Sequence, residues 1–260
     1  EKYFQNFARH RVSPYDPFVL HPIKVEFDRE NLTARLNFRK FDAAVNKYLF
    51  GYGFNNFRLN VTGLGGGNYS VFNPGRLAGF DAGTPEYEIL MRSYLSQIEA
   101  HFEELGILDR AYIYWFDEPD PDDYPIVAET MQRLQKYAPK LTRMLTEQPE
   151  PELFGHVDLW CPVTYKYDHQ LAQERRAAGE RFWWYICSAP HEPYATLFID
   201  HYGVEMRTWL WQTWKYGIEG VLIWQSNYWT SPLVFEPPAL QNPYNDPMSY
   251  KRGYGLPQGY

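Results

Sequence analysis

Cysteine is nearly absent from this chain. Cys161 and Cys187 are the only two among 260 residues, too few for the disulfide framework of a small secreted domain and too far apart for a CxxC metal or redox pair. Long apolar runs are missing as well: no segment has the roughly 20 residues needed to cross a bilayer as a helix, and no basic-then-apolar leader opens the chain. Positive charge is scarce. The 25 Lys and Arg face 32 Asp and Glu, a formal charge of −7, and they form no basic stripe, which argues against nucleic acid or an anionic membrane surface as a partner. The seven histidines fall into no HExxH or paired-ligand spacing, and neither a GxSxG elbow nor a P-loop is present. No metal and no cofactor are expected. Glu1 is not a natural start, and residues 1–9 read as the interior of a helix, so the expectation is a fragment or a processed chain.

Aromatic residues are plentiful, 18% of the chain with 9 Trp and 22 Tyr. A packed core accounts for part of that, and flat aromatic faces are also what a carbohydrate cleft presents to the apolar face of a pyranose. The most informative stretch is residues 111–119, Ala-Tyr-Ile-Tyr-Trp-Phe-Asp-Glu-Pro. Its aromatic and β-branched run fits a largely buried strand, and Pro119, which cannot donate to a ladder, ends that strand near Phe116. Asp117 and Glu118 therefore sit at a strand's C-terminal end, the edge at which α/β sheets carry ligands and catalytic side chains. Acids after a strand also serve as a solvated loop or a helix cap. Here Asp120, Asp122 and Asp123, with Pro121 and Pro125 as helix-start residues, already fill that role before the apolar pattern Ile126, Val127, Met131, Leu134.

Apolar periodicity alternates between helix and strand along most of the chain. It predicts helices at 38–52, 85–105, 124–137, 167–178 and 197–216, and strands at 54–61, 111–116, 141–146, 157–163, 181–187 and 220–225. The Gly-rich segment 62–67 lacks the GxGxxG context, so it reads as a flexible substrate loop rather than a phosphate cradle. Repeated βα units of this size indicate parallel strands with right-handed crossovers. The predicted fold class is α/β, a (β/α)8 TIM-type barrel. Residues 19–36 alternate like an antiparallel hairpin inserted after an early strand near Val12. With that strand the count is seven, so the barrel is expected to be incomplete, its first strand preceding Glu1. The catalytic domain is placed at 1–229, and 230–260, rich in Pro, Gly, Asn and Tyr without a period, as an irregular tail.

Several segments, in their order and spacing, carry a resemblance: His10-Arg11 with Pro14, Phe38 to Phe41-Asp42, Tyr114-Trp115-Phe116-Asp117-Glu118-Pro119, Trp184-Tyr185-Ile186-Cys187, Pro193-Tyr194 followed by Ile199-Asp200, Arg207 with Trp209 and Trp211, and Gly217, Gly220, Trp224 and Asn227-Tyr228-Trp229. Together they resemble the catalytic domain of glycoside hydrolase family 123 and its uncharacterised bacterial relatives, the N-acetyl-β-galactosaminidase type. The resemblance spans nearly the whole chain. It implies a (β/α)8-type barrel and retaining, substrate-assisted hydrolysis, in which the substrate's own 2-acetamido oxygen attacks the anomeric carbon and no enzyme nucleophile is needed. Glu118 would be the general acid/base, and Asp117 would hold the acetamide N–H and stabilise the oxazolinium ion.

Further substrate-binding candidates are Tyr165, for the acetamide oxygen, then Trp184, Tyr185, Trp224, Trp229, Asn227 and Arg11. The tryptophans also read as barrel core, Tyr165 as a core or rim residue and Asn227 as a loop cap, while Arg207, in a helix pattern, reads first as a structural ion-pair partner and only second as a substrate contact. The chain departs from its relatives at Ala195-Thr196, where they tend to have Pro-Asn. They also continue past the region of Tyr260 into a Gly-Asp-Gly segment and a final helix. A glycan or glycoconjugate is the implied partner, and an extracellular glycan would place the protein outside the cell or in the periplasm.

Two other readings stay open. A two-carboxylate retaining glycosidase would keep Glu118 as acid/base and use Glu192, or less directly Glu147, as nucleophile about 5–5.5 Å away. A non-catalytic barrel would bind glycan through its aromatics, and the intact Asp117-Glu118 pair argues against it.

Overall fold

The computed structural model describes residues 1–68, 71–198, 201–224, 248–250 and 258–259. It divides into two compact units, Glu1–Leu145 with Pro151–Asp158, and Thr146–Glu150 with Leu159–Tyr260.

The first unit opens with α1 (Lys2–Arg9). Residues 10–23 hold no strand, so the one expected near Val12 does not form; Pro14, Pro17 and Pro22 each remove a backbone donor there. The expected hairpin follows, β1 (Lys24–Asp28) antiparallel to β2 (Thr33–Asn37). Its turn is closed by Asp28, whose Oδ1 accepts the backbone N–H groups of Glu30 and Asn31, both at 3.0 Å. α2 (Arg39–Val45) runs directly into a π-helical turn, Asn46–Gly51.

β3 (Phe57–Arg58) is shorter than the apolar run around it, although the Leu59 N–H still reaches the Tyr112 carbonyl at 2.8 Å. Then come two hairpins that periodicity did not reveal. β4 (Gly65–Asn68) pairs antiparallel with β5 (Val71–Pro74), and β6 (Arg76–Leu77) with β7 (Phe80–Asp81). The second turns on Ala78 and Gly79, both left-handed at φ 51° and 93°, as a two-residue type I′ loop requires.

α3 (Pro85–Glu104) is capped by Thr84, whose side chain accepts the Tyr87 N–H, and starts on a proline at its first turn. It buries Tyr87, Leu90, Met91, Tyr94, Leu95, Ile98 and Phe102 at helical spacing. Its outer flank serves the hairpin: Ser93 accepts the Ala34 N–H at 3.0 Å and Gln97 donates to the Ala34 carbonyl at 2.9 Å, which satisfies part of an edge that β2 would otherwise leave bare. Phe18, Phe41, Phe57 and Phe102 form the aromatic centre of the unit, with ring centroids 4.5 to 6.2 Å apart where they touch.

β8 (Ala111–Tyr114) runs parallel to β3 on one side. The two-residue β9 (Phe116–Asp117) and α4 (Tyr124–Tyr137) follow. β10 (Thr142–Leu145) returns parallel to β8 on its other side, Arg143 opposite Ile113. Arg143 is 3% exposed and makes a fork to Asp158, 2.7 Å from Nε and 2.5 Å from Nη2, the paired geometry that a buried guanidinium needs.

The second unit repeats the pattern with β11 (Leu159–Trp160), α5 (His169–Ala177), β12 (Arg181–Ile186), α6 (Val204–Lys215) and β13 (Gly220–Ile223), the strands parallel in that order. Trp160 is fully buried, and its indole N–H donates to Glu180 at 2.5 Å while Arg175 grips the same carboxylate. α6 begins seven residues later than predicted. Before it Phe198 donates its N–H to the Thr196 hydroxyl at 3.3 Å, one of the side-chain turns that compete with helix. β14 (Met248–Tyr250) and β15 (Gln258–Gly259) pair antiparallel.

The fold is therefore mixed α/β, with six parallel strands, three in each unit, joined largely by helical crossovers. All six strands predicted from residue 54 onward are present, most of them shortened.

Candidate active site

β8 changes partners at its end. Up to Tyr114 it is bonded to β3 and β10; beyond Trp115, Phe116 and Asp117 become β9 and pair in parallel with Gly67 and Asn68 of β4. Glycine makes this exchange possible. The Gly67 N–H donates to the Trp115 carbonyl at 2.9 Å, and Gly66 lies so close that a Cβ on it would meet that carbonyl oxygen at 2.0 Å. The Gly-rich segment is thus a strand held against the acid-bearing one, not the flexible substrate loop expected from composition.

Asp117 is fixed through both carboxylate oxygens. Asn68 Nδ2 donates to Oδ2 at 2.8 Å, and the Tyr114 hydroxyl donates to Oδ1. Behind Tyr114 stands Arg58, whose Nε donates to the Tyr114 carbonyl at 3.0 Å and whose guanidinium lies 5.0 Å from the centre of the Tyr15 ring. Tyr15 meets Tyr114 edge to face at 6.3 Å. The Tyr15 side chain is 46% exposed, yet the protein around its hydroxyl desolvates it, and with the negative charge of Asp117 this outweighs Arg58 and pushes the phenol up to about 12.

Glu118 follows at φ 46°. A left-handed residue directly after a strand breaks the alternation that sends consecutive side chains to opposite faces, and such a conformation is sparsely populated outside glycine. Both acids are half-buried. The arrangement offers a rigid anion beside a carboxyl group able to give and take a proton.

The other predicted residues are placed as follows. Arg11 is exposed and left-handed at φ 56°. Tyr165, 47% exposed, sits in a short 3-10 turn after β11 with its ring 6.0 Å from that of Tyr194. Trp184 is 3% exposed, and its indole N–H donates to Thr213 of α6 at 3.0 Å. Tyr185 is likewise buried, at 6%. Trp224, 36% exposed, directly follows β13. Arg207 is exposed on α6. Asn227 and Trp229 lie outside the described residues.

Glu147 is buried, with Lys166 Nζ 3.8 Å away, and Glu192 is exposed. Among the described residues one group has the donors for a metal ion, Glu192, His201 and Glu205, with donor atoms within 4.8 Å of one another. His201 Nδ1 already lies 3.2 Å from Glu205 and 2.9 Å from Thr196 Oγ1.

The model of the glycoside hydrolase 123 catalytic domain matches residues 40–259. The chain belongs to glycoside hydrolase family 123. It is similar in fold to the family 123 glycoside hydrolase from Clostridium perfringens, studied for glycolipid glycan hydrolysis, with 13% identity and a TM-score of 0.54 over 86% of this chain and 44% of that one. It thus spans less than half the length of that relative. A provisionally named glycerophosphoryl diester phosphodiesterase from Silicibacter pomeroyi DSS-3 aligns at 12% identity and a TM-score of 0.30, over 51% of this chain and 40% of that one. No curated protein matches. Among the described residues no helix is long and apolar enough to cross a membrane.

In this family 123 chain the acid pair stands out in the sequence, and the groups around it do not. Tyr114 stood inside the motif but carried no predicted role. Asn68 was hidden at the end of a glycine run, 49 residues from its partner. The one signal that pointed there was the glycine cluster itself, since an invitation to close backbone approach is a common reason for glycine in a strand.

Proposed function

We propose that this family 123 chain is a retaining glycoside hydrolase that releases a terminal β-linked N-acetylhexosamine, of the N-acetylgalactosamine type, through an oxazolinium intermediate formed by the substrate's own acetamido group. The observation that carries this reading is the doubly held Asp117 immediately before Glu118. A preorganised anion suits the acetamide N–H and the positive charge that develops as the oxazolinium forms. Glu118 protonates the leaving oxygen, then accepts a proton from the water that opens the intermediate.

The βα order supports reading the chain as part of a (β/α)8 barrel. Of the further proposed substrate contacts, Tyr165 and Trp224 retain surface for a sugar, whereas Trp184 and Tyr185 are packed by their neighbours.

The test is kinetic. Asp117→Asn should lower kcat by about 10²–10³, equivalent to about 2.7–4 kcal/mol of transition-state stabilisation. Glu118→Gln should abolish turnover of poor leaving groups and spare activated aryl glycosides, which need less protonation. A thiazoline analogue of the intermediate should inhibit, and 2-hydroxy glycosides should not be cleaved. Cleavage of simple galactosides, with Glu192→Gln as the dead variant, would overturn the assignment in favour of a two-carboxylate enzyme.

A further inference from the structure

Arg58, like Arg110, is a half-buried cation with no carboxylate partner among the described residues, and it lies beside the acid pair. Arg143 and Arg175 each form a fork with a carboxylate. Arg58 ends β3, is half-buried, and spends one N–H on the Tyr114 carbonyl and its face on the Tyr15 ring. Among the described residues its two terminal nitrogens have no hydrogen-bond partner and it forms no ion pair. The Tyr15 hydroxyl likewise has no hydrogen-bond partner among them.

The two residues are tied to each other in two ways: the backbone N–H of Arg58 donates to the Tyr15 carbonyl at 3.0 Å, and the guanidinium covers the Tyr15 ring. They are also tied to the acid pair, since Arg58 holds the carbonyl of the residue whose hydroxyl holds Asp117. The acids nearby have other engagements. Asp16 accepts the Phe18 N–H at 3.0 Å, and Asp117 is held by Asn68 and Tyr114.

Neither terminal nitrogen of Arg58 is a buried unpartnered atom, so both face water that the acceptors of a ligand can displace. The neighbouring carboxylates disfavour an anion as that acceptor. A neutral polyol suits it, because adjacent equatorial or axial–equatorial hydroxyls of a pyranose present two acceptors side by side to a planar fork.

We propose that Arg58 and Tyr15 bind hydroxyl groups of the sugar whose glycosidic bond is cleaved, as the donor side of a subsite whose acceptor side is Asp117 and Glu118. This rests on the function proposed above and names which residues set its sugar specificity. The raised phenol of Tyr15 keeps it a donor across the range in which a glycosidase works.

The test pairs variants with edited substrates. Wild type, Arg58→Lys and Tyr15→Phe are assayed on p-nitrophenyl N-acetyl-β-galactosaminide and on its 3-, 4- and 6-deoxy forms. For wild type, removal of at least one hydroxyl should lower kcat/KM by about 10- to 100-fold, the size of a lost hydrogen bond to a charged donor. Arg58→Lys should lose a similar factor on the parent substrate and nothing further on that deoxy form, and Tyr15→Phe should show the same pattern for its own hydroxyl. A merely structural role gives equal losses on every substrate, and that result overturns the proposal.

Binding of N-acetylgalactosamine to otherwise unmodified protein, measured by calorimetry with and without Arg58→Lys, separates this proposal from the mechanism. Coupling between variant and deoxy sugar alongside cleavage of 2-hydroxy glycosides sustains the proposal while the substrate-assisted reading falls. Failure of wild type to bind any of the sugars overturns both.

Discussion

Glu118 is an acid in a conformation that glycine would adopt more readily. Its φ of 46° carries a cost of about 1–2 kcal/mol for an L-residue, and left-handed residues of this kind cluster at functional sites. Glu118→Gly should therefore abolish turnover while leaving the thermal midpoint level or raised. Glu118→Ala, which keeps the strain and loses the carboxyl, should be inactive with no gain in midpoint. A large loss of stability in the glycine variant would mean that the side chain holds the fold rather than the reaction. The pair at 117 and 118 was legible because an aromatic run ending at Asp-Glu-Pro leaves few options for where the acids go. Of the two groups that fix Asp117, Asn68 was not, since a hydrogen bond across 49 residues leaves no trace in local periodicity.

Two glycines separate what an element needs locally from what the site needs of it. Gly106 ends α3 at φ 65° with nothing near its missing Cβ, so Gly106→Ala should cost about 1–2 kcal/mol, the backbone penalty alone. Gly66, at φ 105°, would press a Cβ to 2.0 Å from the Trp115 carbonyl. Gly66→Ala should cost several-fold more in denaturant titrations and should separate β4 from β9, lowering activity along with stability. Equal effects would deny that the β4–β9 approach is tight.

The long helices at 85–104 and 124–137 were readable because their apolar spacing is sustained, the first bounded by Thr84-Pro85 and Gly106 and the second opened by Pro125 in its first turn and closed before Pro139. The hairpins between 65 and 81 were not, because glycine, asparagine and proline form ladders there without an alternating pattern. The helix predicted at 197–216 was overextended for the converse reason: apolar spacing continued through Phe198 while a threonine side chain took the backbone N–H.

At the scale of the molecule, stability should be lost at alkaline pH. The Tyr87 phenol is buried, donates to the Gly63 carbonyl at 3.1 Å, and is raised to about 12 by that burial. Tyr94 and Tyr137 are shifted in the same direction, also chiefly by desolvation. A phenol raised in the folded state stabilises fully below its unfolded value near 10, and that contribution disappears as pH climbs toward 12. Between pH 8 and 11 Tyr87 alone should remove roughly 1.4 kcal/mol. Chemical denaturation at the two pH values should show a smaller drop for Tyr87→Phe than for wild type, and an equal drop would reject the assignment.

The parallel strands and their order were readable from repeated βα units. The partner exchange at Trp115 was not, because it depends on which chain segments meet, not on what either contains. That exchange also supplies a reporter. The Gly67 amide proton is shielded only while β4 lies against Trp115, so its isotope exchange in deuterated water times the opening of the acid-bearing strand end directly, with no sugar present and no turnover to follow.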